Sequence, residues 1–175
     1  MSQYISFQGM DPATMEALLT PLHPILDRNS SPRSPGILYM GSMAASLDID
    51  LLRSHQIKNI VQVLDVDWGM LSDKGLDYYQ VNLADRTSAN IIPHLNGACD
   101  YIRSHLSQGR NVLVHCQQGV SRSCAIIIAY LMRERGLSFD ESLALIKARR
   151  ACAKPNDGFI RQLRAWQLPQ ATRRV

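Results

Sequence analysis

The residues VLVHCQQGVSRSCAIIIAYLM, 112–132, set Cys116 between an apolar run and a turn of glycine, serine and arginine, after which the apolar run resumes. A buried structural thiol needs no such surroundings, whereas a nucleophilic one does. Backbone amides at a helix N-terminus converge on whatever lies before them and favour negative charge. Gly119 is free to take a left-handed backbone that lets successive N–H groups turn inward. Arg122, six positions after Cys116, carries a planar fork that can hold two oxygens of a phosphate. Thiols at helix N-termini beside positive groups titrate at roughly 3.5–7.5 rather than near 8.5. The chemistry predicted is attack by a Cys116 thiolate on phosphorus held in an anion cradle.

Such a cradle has to be held by rigid elements, and the pattern around it supplies them. Residues 111–114 (NVLV), apolar after Asn111, read as a short strand buried on both faces. A short strand over 36–41, further strands over 57–64 and 77–83, and a short helix over 47–55 precede it. Apolar residues at 91, 95, 98, 102 and 106 predict an amphipathic helix over 91–106. Helices over 121–135, 139–149 and 158–166 follow, with Ser138 or Asp140 available as a cap for the second. This alternation predicts an α/β fold with a central, mostly parallel sheet flanked by helices in three layers. In such sheets ligands bind beyond the carboxyl ends of the strands, which is where Cys116 falls.

The whole chain bounds the reading further. Its 175 residues are 46% apolar, enough for one domain with a true core. The net charge of +4 suits anionic ligands but is too small to predict nucleic-acid binding. Cys99, Cys116, Cys124 and Cys152 include no CxxC pair, and His55, His94 and His105 lack metal-ligand spacing. No cofactor or metal is expected, no secretory leader or membrane span is read, and a reducing cytoplasmic or nuclear compartment is the default expectation. Residues 1–30 are taken as an N-terminal extension, its FQG-MDP start resembling an expression-vector remnant. A catalytic domain is predicted over 31–170 and a tail over 171–175. Oligomeric state is not legible.

The segment 112–131 resembles the phosphate loop of cysteine-dependent protein tyrosine phosphatases, specifically the dual-specificity group. The similarity runs from Gly36-Ile37-Leu38-Tyr39 through Asp85 to Pro155-Asn156-Asp157-Gly158-Phe159. It implies a phosphotyrosine-phosphatase-like fold and a compact, atypical member of the group. It also implies Cys116 as nucleophile, Arg122 as phosphate clamp, Ser123 as the residue that helps the thiolate leave, and His115 as support from below. Gln117, Gln118, Gly119, Val120 and Ser121 would line the phosphate with Arg122. Asn156 resembles a position that braces the site; its ordinary alternative is a helix cap. A carboxyl group must protonate the leaving oxygen and later deprotonate water. Asp85 matches the family's general acid by its place before Ser88-Ala89-Asn90-Ile91, with Asp65 and Asp67 as rivals.

The expected substrate is a phosphorylated protein, on tyrosine and on serine or threonine, cleaved in two steps through phosphocysteine. The loop residues 117, 118, 120 and 121 are uncharged, whereas phosphoinositide-cleaving relatives tend to place lysine there. A lipid, RNA or nucleotide phosphate is the alternative substrate, and a phospho-binding adaptor without turnover the alternative class. Lys147, Arg149, Arg150 and Lys154 are read either as an auxiliary anion site or as solvated charge. Cys124 is read as a small core residue.

Overall fold

A computed structural model of the chain describes residues 9–28, 35–66 and 75–166. Asp67 therefore lies outside the described residues. Five strands form one sheet in the order β1-β2-β5-β3-β4. They are β1 (Leu22–Leu26), β2 (Leu38–Gly41), β3 (Ile57–Leu64), β4 (Asp77–Asn82) and β5 (Asn111–His115). β5 pairs in parallel with both β2 and β3, and β4 pairs in parallel with β3. Only β1 runs antiparallel, on the edge against β2. The mostly parallel sheet read from the sequence is the one observed.

Successive residues of a strand face opposite sides, and both sides of this sheet are covered. Leu38, Met40, Val61, Val63, Val112 and Val114 belong to the larger core. That core packs on α4 (Ile92–Ser107), α5 (Arg122–Arg135), α6 (Phe139–Arg149) and α7 (Asp157–Ala165). The alternate residues Tyr39, Ile60 and Leu113 belong to a smaller core with Ala45 and Leu52. These two come from α2 (Met43–Leu47) and α3 (Ile49–Ser54). The result is the expected helix–sheet–helix layering.

α5 is apolar around most of its circumference because it is buried between other elements. Residues 123–131 are all at most 1% exposed, and the helix packs against α4, α6 and β5. Burying each of Ile126, Ile127 and Ile128 contributes about 1.5–3 kcal/mol. This anchors the N-terminus of α5 directly behind the turn that carries Cys116. Ser138 closes a capping box with Glu141 at the start of α6, while Asp140 instead receives the Arg164 guanidinium at 2.7 Å.

Two elements precede everything the periodicity placed. α1 (Pro12–Leu19) begins with Asp11 accepting from the Thr14 amide and proline in its first turn. β1 follows it and adds the antiparallel edge. Pro24 sits there without harm, because an edge strand tolerates a missing N–H.

Candidate active site

β5 ends at His115, and the loop from Cys116 to Ser121 returns into α5. Gly119 takes φ +66°, and a Cβ there would lie 2.5 Å from the Gly41 carbonyl, so only glycine fits this approach to β2. The loop's carbonyls are then taken one after another by the surrounding scaffold. The Met43 amide donates to Gln117 O at 3.2 Å, and the Lys154 amide to Val120 O at 2.9 Å. Arg150 donates from Nη2 to Gln118 O at 3.3 Å and from Nε to Gly119 O at 2.8 Å. The Ala125 amide takes Ser121 O at 3.0 Å. In a trans peptide the following N–H points opposite to the carbonyl. The N–H groups of residues 118–122 therefore face away from these donors, and none has an acceptor among the described residues.

Ser121 is the N-cap of α5, yet its side chain caps nothing in its own helix. It donates to Asp85 Oδ1 at 2.7 Å and accepts from the Asn156 amide at 3.0 Å. The first amides of α5 are thus left for a ligand rather than satisfied internally.

Cys116 lies at the start of this loop, 2% exposed, with Sγ 3.3 Å from the Ser123 hydroxyl. His115 is fully buried behind it. Burial drives the imidazole pKa down to about 4, so the ring is neutral at physiological pH and adds no charge beneath the sulfur. Its Nδ1 is 3.4 Å from the Cys116 carbonyl oxygen.

Arg122 is almost buried and is held along one edge. Nη1 donates to Leu83 O at 3.1 Å and to Asp65 Oδ1 at 3.0 Å. Nε is buried without an acceptor among the described residues, 3.9 Å from Asp85 Oδ2. An unpaired buried N–H on a guanidinium is costly unless an anion completes it. Asp85 stands close by: Oδ1 accepts from both Ser121 and Asn156 Nδ2, the latter at 2.9 Å. Asn156 has both roles considered for it, because its Oδ1 also caps α7 by accepting from the Phe159 amide at 3.0 Å.

The structure thus gathers Cys116, Arg122, Ser123, Asp85, His115 and Asn156 around one loop. Both described carboxylates weighed as acid, Asp65 and Asp85, approach Arg122. The reading of Arg150 is corrected. It is neither solvated nor an auxiliary anion site, being 0% exposed and spent on loop carbonyls. Its neighbour Arg149 is half-exposed and lies 3.8 Å from Asp27. Sequence inspection missed this brace because its partners lie 31, 32, 127 and 130 residues away.

Comparison with known proteins agrees with this geometry. The family model described as dual specificity phosphatase, catalytic domain, matches residues 38–168. Dual specificity protein phosphatase MPK-4 of Drosophila melanogaster is 36% identical over 132 residues, covering 74% of this chain but 34% of the fly protein. Dual specificity protein phosphatase 22 of Mus musculus is 35% identical over 133 residues, covering 76% of this chain and 71% of the mouse protein. The crystal structure of DUSP15 superposes with a TM-score of 0.72 at 31% identity, over 82% of this chain and 89% of that one. The chain spans about a third or less of the length of the first curated relatives it matches. A nucleophile–clamp loop in this fold, matched by a family model over most of its length, leads to one assignment: the chain belongs to the dual-specificity phosphatase catalytic-domain family.

Proposed function

We propose that the protein hydrolyses phosphate monoesters on phosphorylated proteins, on tyrosine and on serine or threonine, by way of a phosphocysteine. One observation carries this reading. Five consecutive carbonyls are held, those of residues 117–120 by the surrounding scaffold and Ser121 O by the first turn of α5, so the five amides of residues 118–122 have no acceptor among the described residues, following Cys116 and ending at Arg122. The three oxygens of a phosphoryl group fit such a ring of donors, which is preorganised and needs no rearrangement as charge develops.

In the first step Cys116 Sγ attacks phosphorus. The S–P bond forms as the P–O ester bond breaks, and the departing oxygen takes a proton from Asp85. Asp85 fits this role better than Asp65. Its Oδ1 is fixed to the loop by Ser121 and Asn156 while Oδ2 stands 3.9 Å from Arg122 Nε, beyond hydrogen-bond reach, whereas Asp65 is hydrogen-bonded to Arg122 Nη1 at 3.0 Å. In the second step Asp85, now a carboxylate, takes a proton from water as the water oxygen attacks phosphorus. The S–P bond breaks, the Ser123 hydroxyl receives the developing thiolate, and inorganic phosphate leaves. Arg122 neutralises the phosphoryl charge throughout, its Nε–H finding in the phosphate the acceptor it otherwise lacks.

The loop side chains Gln117 and Gln118 are exposed and uncharged, which supports a monophosphate on a protein over a polyphosphorylated lipid headgroup. The partner we infer is therefore a phosphoprotein, with no role assigned to nucleic acid or membrane. No helix among the described residues is long and apolar enough to cross a membrane. All four cysteines are free thiols, which supports action in the reducing cytoplasm or nucleus.

The test is a matched-concentration panel of phosphotyrosine, phosphoserine and phosphothreonine peptides, phosphoinositide, RNA 5′-phosphate and nucleotide, assayed with EDTA present. Release of phosphate from the peptides is expected, together with inhibition by vanadate. Preference for a non-protein phosphate replaces the substrate class. Binding of phosphopeptide with no phosphate release makes the protein an adaptor.

A further inference from the structure

Arg150 is a fully buried cation whose four acceptors are all neutral. Nε and Nη2 hold the carbonyls of Gly119 and Gln118, while Nη1 meets Thr20 O at 2.9 Å and His23 Nδ1 at 2.8 Å. No carboxylate pairs with it among the described residues, although burying an unpaired charge is costly. Burial pushes the guanidinium's pKa down, opposed in part by the nearby thiols of Cys152, Cys116 and Cys124.

The guanidinium is a plate with two working edges. One edge faces the phosphate loop; the other faces Thr20, just after α1, and His23 in β1. A second connection joins the same two regions. Pro21 O accepts from the Ser42 amide at 2.9 Å, and the next amide, of Met43, holds Gln117 O. The carbonyls of Gln117, Gln118 and Gly119 are thus tied, through Met43 or Arg150, to residues 20–23. Those residues lie N-terminal to the family-matched region, which begins at residue 38.

We propose that Thr20–His23 is a positioning element of the phosphate loop, acting through Arg150, so that the catalytic unit includes α1 and β1. This rests on the phosphatase reading for its consequence in catalysis, but not for its consequence in anion binding. His23 accepts the second Nη1 hydrogen, and without that acceptor the plate is held on the N-terminal side by Thr20 O alone. A tilted plate releases the Gln118 and Gly119 carbonyls, and the amides of Gly119 and Val120 lose their aim with them.

The experiment compares the parent with His23→Phe, which keeps a ring but removes the acceptor, and with His23→Asn, which restores one. Arg149→Ala serves as a control on the neighbouring exposed charge. Orthovanadate affinity is measured by isothermal titration, and kcat and KM with p-nitrophenyl phosphate. His23→Phe is expected to lose about tenfold in both vanadate affinity and kcat/KM, since displaced oxyanion donors act on both. His23→Asn is expected to recover most of that loss, and Arg149→Ala to match the parent. If His23→Phe shows no cooperative melting transition, His23→Leu takes its place. Parent-like vanadate affinity in the acceptor-lacking variant overturns the proposal, as does an equal loss in His23→Asn. A parent that binds vanadate without turning over ester refutes the catalytic reading and leaves this proposal to be decided by the affinities. A parent that does not bind vanadate overturns both.

Discussion

Ser121 turns its hydroxyl away from the helix it begins and gives it to Asp85, 2.7 Å away. An N-cap serine that satisfies its own helix typically stabilises it by about 1 kcal/mol. Here that contribution is forgone, and two things follow from it. The α5 amides stay open to an anion, and a carboxylate is fixed beside the arginine that would bind the same anion.

Asp85 is the first residue to test. Asp85→Asn is expected to lower kcat about 10²–10⁴-fold with phenyl or alkyl phosphates, the range for a lost general acid. The loss should shrink with leaving groups that depart without a proton. Leaving-group dependence of kcat reads this directly, and an Asp85→Asn variant with near-parent rates would move the acid role to Asp65.

The Cys116–Ser123 contact separates the two chemical steps. Cys116→Ser is expected to abolish turnover while retaining affinity for phosphopeptide, because the amides and Arg122 remain. In Ser123→Ala the thiolate leaves without its 3.3 Å hydroxyl partner. Breakdown of the phosphoenzyme should then become limiting, and rapid-quench kinetics should show a burst of alcohol product ahead of phosphate. Equal slowing of both products would place Ser123 in the first step instead.

Gly119 is constrained by conformation and by space. Gly119→Ala sets a Cβ in a left-handed backbone and 2.5 Å from the Gly41 carbonyl. A loss of about 2 kcal/mol or more is expected from strain and overlap together, with activity falling further because the loop must shift. Urea unfolding and a p-nitrophenyl phosphate assay measure the two losses. A variant with parent stability would mean the loop yields without cost.

His115 predicts how stability responds to acid. Burial holds its folded-state pKa at about 4, below the ordinary value of 6.5. Between those pH values the unfolded chain binds the proton more readily than the folded one, so stability falls as pH drops from 6.5 towards 4. The loss at pH 4.5 is about 2.5 kcal/mol by linkage. His115→Gln is expected to show a flatter pH dependence of unfolding free energy between 7.5 and 4.5. An unchanged slope would assign the acid sensitivity to other groups.

What the sequence alone determined is local and periodic. The apolar run 112–114 within β5 required burial on both faces, the 3.6-residue spacing required α4, and the string from His115 to Ser123 required a strand-to-helix turn able to hold an anion. Each depends on residues within a few positions of one another, where steric preference and burial act directly. α1 carries a local start signal too, Asp11 before Pro12, within the stretch read from the sequence as an N-terminal extension. The tertiary structure decided which carboxylate stands where, placing Asp65 on Nη1 of Arg122 and Asp85 beside Nε. It also decided what Arg150 does. A basic run at a helix end looks the same whether solvated or buried. Only the closure of the sheet against α6 brings Thr20 and His23 to its guanidinium, across 130 and 127 residues. Contacts of that separation follow from how the layers pack, and no local spacing encodes them.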